Sequence, residues 1–281
     1  MATMAFFTLS LKADSSGFWQ YSISGGQATI TDYTGPGGLV TIPSTLNGTP
    51  VAVIGDESLN DRLDITSVTI PSGVSRIGVN SFASCTNMTN VTIPSSVTNI
   101  GTFAFQGCTS LTNVIIPERV TRIGYGAFAR CTRLTSVTIP SSITNIGLEA
   151  FEGNVFEGCK SLNSVTIRSS VIGENAFYGC SGLTNLTIPT NVTNIGSGAF
   201  YACTSLTNVV IPSSVTSIAP DTFIYCTGLT SITIPSSVKS IGNAAFLACI
   251  KLPRVAIPFG VIEIGYSTFE RCVSLTNITI V

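Results

Sequence analysis

The 281-residue chain contains no histidine, and only 10% of it is charged. It therefore lacks the side chain most used for proton transfer near neutral pH, which is also the commonest metal ligand. No serine or cysteine can be activated by an imidazole base, no Gly-rich loop ending in Lys is present to cradle a phosphate, and no carboxylate pair recurs at a fixed address. Together these absences weigh against an enzyme and imply no cofactor and no metal. The formal net charge of −1 supplies no long-range field for drawing in nucleic acid or anionic lipid. Long apolar runs are missing too. A Pro, Ser, Thr or Asn interrupts each one well before the roughly 18 residues a spanning helix needs. Near the amino terminus, the apolar stretch Met4 to Leu11 has no basic region ahead of it. It reads as an ordered cap strand or tail, with the remnant of a secretion signal as the alternative.

What is present is hydrophobic residue, at 44%, set among Thr, Ser, Asn and Gly, and it repeats. Aligned on its prolines, the chain returns every 23 residues to the pattern shown by residues 88 to 110, Met-Thr-Asn-Val-Thr-Ile-Pro-Ser-Ser-Val-Thr-Asn-Ile-Gly-Thr-Phe-Ala-Phe-Gln-Gly-Cys-Thr-Ser. Units start at Ile65, Met88, Leu111, Leu134, Leu162, Leu183, Leu206, Leu229 and Leu252, with a partial tenth at Leu275. Val91 and Ile93 alternate with Asn90 and Thr92, so a short strand turns the first pair inward and the second outward. Pro94 has no N–H to give a ladder and ends the strand, and Val97 to Ile100 form a second extended piece closed by Gly101. Ala104, Phe105 and Cys108 then follow at the spacing of a single helical or 3-10 turn. One such unit is too small to bury its own apolar residues. Stacking in parallel buries each against its copies above and below.

The pattern Leu-x-x-Val-x-Ile-Pro-x-x-Val-x-x-Ile-Gly-x-x-Ala-Phe-x-x-Cys resembles the BspA-like leucine-rich repeat family. The resemblance implies a β-rich solenoid of the kind common on microbial surface proteins, with adhesive or binding roles and no enzymatic activity of its own. It carries over no site residues. The expected fold is a β-rich leucine-rich repeat solenoid of parallel stacked short strands with single helical or 3-10 turns. Residues 1–38 form a tail and β-hairpin cap, turning at Gly25-Gly26 with Trp19 and Tyr21 in its core. Residues 39–64 form a degenerate first repeat, and residues 65–281 the solenoid of nine units and a partial tenth.

Nine cysteines recur in register from Cys85 to Cys272. None has the close spacing of a zinc knuckle and an odd number cannot fully pair, so buried free thiols are expected. Around residue 150 the period slips, gathering Glu149, Glu152, Glu157, Lys160, Arg168 and Glu174. A tolerated surface loop is the plainer reading and a ligand or cation site the sharper one. The outward strand positions are the candidate binding residues: Asn90, Thr92, Asn113, Ser136, Thr138, Asn185, Thr187, Asn208, Ser231 and Thr233. Their monotony suits a regular target such as a glycan, ice or another copy of the chain, and equally suits exposed strand residues with no ligand. Ile115, Val210 and Ala256 interrupt the Thr column and weaken the ice reading. Asn47, Asn87, Asn90, Asn185, Asn191 and Asn277 each open an N-glycosylation triplet. The expected partner is a protein or glycan, with no nucleic acid and no membrane span. The last unit, from Leu275, ends after one strand, so truncation, docking to another domain or end-to-end stacking into a filament all remain open. The expected location is extracellular or on the cell surface.

Overall fold

The computed structural model describes residues 14–143 and 153–281. The chain winds into a solenoid of about 11 turns with parallel stacked strands and no helix among those residues. Each turn has three sides. The first is an outer strand such as Asn90–Thr92, the second a two-residue strand such as Asn99–Ile100, and the third a run of tight turns carrying Phe and Cys. Asn99 and Ile100 pair in parallel with Arg76 and Ile77 before them and with Arg122 and Ile123 after them, a register shift of one 23-residue unit.

The first strands depart from this plan. Trp19–Ser24 and Gln27–Tyr33 form an antiparallel hairpin about Gly25 and Gly26, both with positive φ. Gln27–Tyr33 then pairs in parallel with Thr49–Ile54, so the hairpin continues the short-strand side. Tyr21 is buried, and Trp19 stacks on Tyr33 at 4.2 Å between ring centroids. Arg62 ties the hairpin to the first rungs. It grips Asp64 through Nε and Nη2, donates to the carbonyls of Tyr33 and Gly35, and lies over the Tyr33 ring. That hydrogen-bonded pairing raises the Arg62 pKa and lowers that of Asp64.

The third side is not the single helical or 3-10 turn expected from spacing. Residues two before and two after each Phe have positive φ, as at Asn80 and Ser84, or Phe103 and Gly107. The left-handed residue on each side of the Phe bends the backbone, and every second N–H points along the stack. Phe103, Phe105 and Gly107 donate to the carbonyls of Tyr125, Ala127 and Ala129 in the next rung. On the short-strand side the sense is opposite, with Gly101 donating back to Ile77 and Gly124 back to Ile100. On the turn side the intervening N–H groups, of Ala104, Gln106 and Cys108, bond three residues back within the segment, and an unbroken run of such bonds would leave successive rungs unlinked. The observed conformation links them, and so accounts for the backbone polar groups of a buried edge.

The corner glycines have a different origin. Gly101 and Gly124 do not have positive φ, but a methyl on Gly101 would lie 2.6 Å from the carbonyl carbon of Gly78, and one on Gly124 would lie 2.4 Å from the Thr102 nitrogen. Successive corners touch backbone to backbone, which favours glycine in this column, although one rung carries Ala219 there.

The core follows from the repeat. Met88, Val91, Ile93, Val97, Ile100, Ala104, Phe105 and Cys108 of one unit are all buried. The Phe rings stack in one column from Phe82 to Phe269, with centroids 5.2 to 5.7 Å apart and planes within 10° of parallel. All nine cysteines are free and buried. Each thiol donates to a carbonyl of the rung before it, as Cys108 does to Phe82 and Cys131 to Phe105. Burial pushes the pKa up for the seven thiols from Cys85 to Cys226, to about 11 at Cys85 and about 12 at Cys131 and Cys226. Such thiols are neither nucleophiles nor ligands at neutral pH. Around the slip, Glu149 and Glu152 lie outside the described residues. Glu157 accepts from Asn154, and Arg168 pairs with Glu118 at 2.7 Å on the surface. At the other end of the stack, Phe259, Ile262, Tyr266, Val273 and Ile280 expose their apolar side chains.

Candidate functional site

Period-2 geometry places the outward residues as expected. In Asn90–Thr92 and Asn208–Val210 the middle residue is buried and its neighbours exposed. Register aligns them in columns. Asn113 pairs with Ser136 and Ser136 with Ser164, Asn208 pairs with Ser231, and Arg254 with Asn277. Beside them run Ile115, Thr138 and Thr166, then Val210 with Thr233, and Ala256 with Thr279. All ten candidate positions are exposed or, at Ser136 and Thr138, half-buried.

The face is not one continuous sheet. Its ladders fall into four pieces, and Asn185 holds only an isolated bridge to Asn208, so Asn185 and Thr187 lie outside a regular strand. Proline keeps the outer strands to three to five residues, so each junction has few ladder bonds and is easily interrupted. At the junction after Thr92, the Thr112 N–H is already 3.5 Å from the Thr89 carbonyl.

Two shallow hollows mark this face. One, of about 280 Å³, is lined by Asn113, Ile115, Ser136, Thr138, Ser164 and Thr166. The other, of about 440 Å³, is lined by Ser231, Arg254, Ala256, Asn277 and Thr279 among others. Arg254 is the one charged side chain in the two. Asn90, Thr92, Asn185, Thr187, Asn208 and Thr233 stand on the same face outside the hollows. The structure therefore brings Asn113, Ser136 and Thr138 together, sets Ser231 apart in the second hollow, and spreads the rest along the stack.

Hydrogen bonding separates hydroxyls that look alike in the sequence. Thr89, Thr135, Thr207 and Thr230, which precede the outer strands, each donate to the carbonyl one rung back. Thr98 and Thr121 do the same on the short-strand side. The hydroxyls of Thr92, Thr138, Thr187 and Thr233 make no hydrogen bond among the described residues and remain available. Ser231 donates to Asn208 Oδ1 at 2.6 Å, orienting that amide. The sequon asparagines divide in the same way. Asn47, Asn87 and Asn191 use their amide nitrogens on Tyr21, Leu63, and Arg168 with Ser169. Asn90, Asn185 and Asn277 are exposed on the strand face.

The site thus offers neutral donors and acceptors with a regular axial repeat, and only Arg254 as a charge. No set of three or more His, Cys, Asp or Glu side chains that could hold a metal occurs among the described residues. Among the described residues, no helix is long and apolar enough to cross a membrane.

Several solved structures share this architecture. A leucine-rich cell surface protein of Faecalibacterium prausnitzii A2-165 is 28% identical, with 96% of this chain and 94% of that one covered and a TM-score of 0.52. A leucine-rich repeat protein of Bacteroides ovatus ATCC 8483, at 22% identity, TM-score 0.56 and 94% coverage of both chains, shares the fold. So does the pneumococcal vaccine antigen PcpA, at 16% identity and TM-score 0.58, with 96% of this chain and 82% of PcpA covered. No curated protein matches the chain. The BspA type leucine rich repeat region matches in six copies over residues 52–171 and 153–276, and the chain belongs to that family.

Proposed function

We propose that the chain is a non-catalytic binding module of a cell surface, which holds a protein or glycan against its strand face. One observation carries the reading: the outer-strand hydroxyls of Thr92, Thr138, Thr187 and Thr233 are free of the fold's own hydrogen bonds, whereas those of neighbouring columns are committed to it. Columns at a fixed axial spacing, roughly 4.8 Å per rung, favour a ligand that is itself extended and regular. Binding energy would be spread over many weak contacts, as adhesion through repeated units requires. Surface location is supported by the Faecalibacterium relative, described as a cell surface protein.

The test is binding of the purified chain to glycan and protein arrays, beside a variant with Asn113→Ala, Ser136→Ala, Thr138→Ala and Thr233→Ala together. The expected outcome is loss of binding with an unchanged melting temperature. Equal binding by the two proteins would remove the strand face as the site. A second reading, stacking of copies end to end, is favoured by the exposed apolar side chains of Phe259, Ile262, Tyr266 and Val273. Light scattering across concentration decides it, since stacking gives a mass that grows with concentration and a constant monomer mass excludes it.

A further inference from the structure

A groove of about 450 Å³ lies on the turn side of the stack, away from the strand face. Its construction follows from three columns. In the position two after each Phe stand Arg130, Gly158, Gly179, Ala202 and Tyr225, linked rung to rung because Arg130, Gly158 and Gly179 donate to the carbonyls of Glu157, Tyr178 and Tyr201. The column one after Phe supplies Glu157 and Tyr178. The column one after Cys supplies Thr109, Thr132 and Lys160.

Gly158 and Gly179 form the floor. A methyl on either would meet its nearest neighbour at 3.7 or 3.8 Å, an ordinary contact, so packing does not demand glycine there. Their positive φ is equally shared by Arg130, Ala202 and Tyr225 in the same column. Tyr178 forms one wall and stacks on Tyr201 at 4.5 Å and 16° from parallel, which fixes the ring without covering it. Arg130 and Lys160 are exposed and make no ion pair among the described residues. Glu157 is turned toward its own rung, with Oε2 accepting from Asn154.

We propose that this groove is a separate binding site for an acidic saccharide. The C–H face of a sugar ring packs on Tyr178, whose ring is apolar in body and polar at its tip. The sugar's carboxylate meets Arg130 and Lys160, of which the planar guanidinium fork can hold both oxygens. The free oxygen of Glu157 accepts a sugar hydroxyl. Two cations against one anion give the lining a net positive charge, which selects a uronic-acid sugar over a neutral one. The strand face, with no aromatic ring and a single cation in its hollows, has the opposite preference, so the two sites are independent.

The experiment is calorimetric titration of the full chain with oligogalacturonate and, separately, with maltooligosaccharide. Variants introduce what another rung carries in the same column: Arg130→Gly as at Gly107, Lys160→Thr as at Thr132, and Tyr178→Ala as at Ala129. Gly179→Tyr fills the floor with the residue that column accepts at Tyr225. The expected result is oligogalacturonate binding that weakens about tenfold in each replacement, is abolished by Gly179→Tyr, and falls with added salt. The strand-face quadruple variant should bind it unchanged. No binding of oligogalacturonate, equal binding of maltooligosaccharide, or variants indistinguishable from the parent would each overturn the assignment. A loss confined to the strand-face variant would overturn it as well, and would return the ligand to the proposed function.

Discussion

The turn side and the strand face are built from the same 23-residue unit and tolerate irregularity differently. On the turn side the Phe column runs from Phe82 to Phe269 and the Cys column from Cys85 to Cys272, through the slip near residue 150 without a gap. On the strand face the ladders break into four pieces and Asn185 keeps a single bridge. Rings and thiols are held by contacts with their copies in both directions, so a substitution there is felt by three rungs. Outer-strand side chains project away from the core and little in the fold constrains them. Uniformity on the turn side thus has a packing cause, and uniformity on the strand face is open to a functional one.

The sharpest break in this comparison is alkaline pH. Seven thiols, at Cys85, Cys108, Cys131, Cys159, Cys180, Cys203 and Cys226, are raised above the ordinary value of 9.0, chiefly by burial. A folded pKa above the unfolded one means that the unfolded chain releases protons first. This contribution is intact below pH 9 and declines as the pH rises from there toward the folded values. By pH 10 each of these thiols ionises readily in the unfolded chain and is held protonated in the folded one, so all seven favour unfolding together, against a domain stability that is small to begin with. Urea melts between pH 7 and 10.5 should show a midpoint that is flat to pH 9 and then collapses. A midpoint still flat at pH 10.5 would mean that the thiols are not held neutral.

A smaller break is Phe177→Ala. The ring lies 5.6 Å from both Phe156 and Phe200 and is fully buried, so its removal opens a cavity within the column. The expected cost is about 3 to 5 kcal/mol, read as a lowered urea midpoint. Because rungs are coupled to nearest neighbours, a second transition should separate the two halves of the stack. A single transition of unchanged midpoint would contradict the column as the main link.

Ser81→Ala should act in the opposite direction. Ser58, Thr222 and Thr268 occupy the same position before Phe or its equivalent, and each donates to the carbonyl three residues back. Ser81 is fully buried and its hydroxyl has no partner. Replacing it with the alanine that most rungs carry removes an unmet polar group and should stabilise the fold by about 1 kcal/mol. A loss of stability on substitution would show that Oγ does have a partner in solution.

Much of this was legible in the sequence, for identifiable reasons. The period, the inward Val and Ile, the proline stops and the burial of cysteine all follow from residue types repeated at one spacing. The left-handed positions flanking each Phe were not legible, because Phe, Asn, Asp, Ser, Arg and Ala all occupy them and conceal the requirement. Nor could the sequence separate Thr89, whose hydroxyl serves the stack, from Thr92, whose hydroxyl does not. The two differ only in where the strand turns them. The groove beside Tyr178 did leave a signal, Tyr178 and Tyr201 being 23 residues apart with Gly158 and Gly179 adjoining the same register. It is overlooked when each tyrosine and glycine is read inside its own unit instead of down the column.

The smallest expected effect is the most informative about function. Thr92→Ala and Thr233→Ala remove exposed methyl and hydroxyl groups with no partner in the fold, and each should change stability by no more than about 0.5 kcal/mol. Asn208→Ala takes the acceptor from an exposed Ser231 hydroxyl that water can satisfy, and should fall within the same range. Urea melts on the three variants test this directly. If any costs as much as a buried residue, the strand-face columns are retained for folding, and their regularity no longer argues for a ligand. If all three are neutral, the fold does not account for the recurring preference for Asn, Ser and Thr at these positions, and recognition at the strand face becomes the explanation with a physical basis.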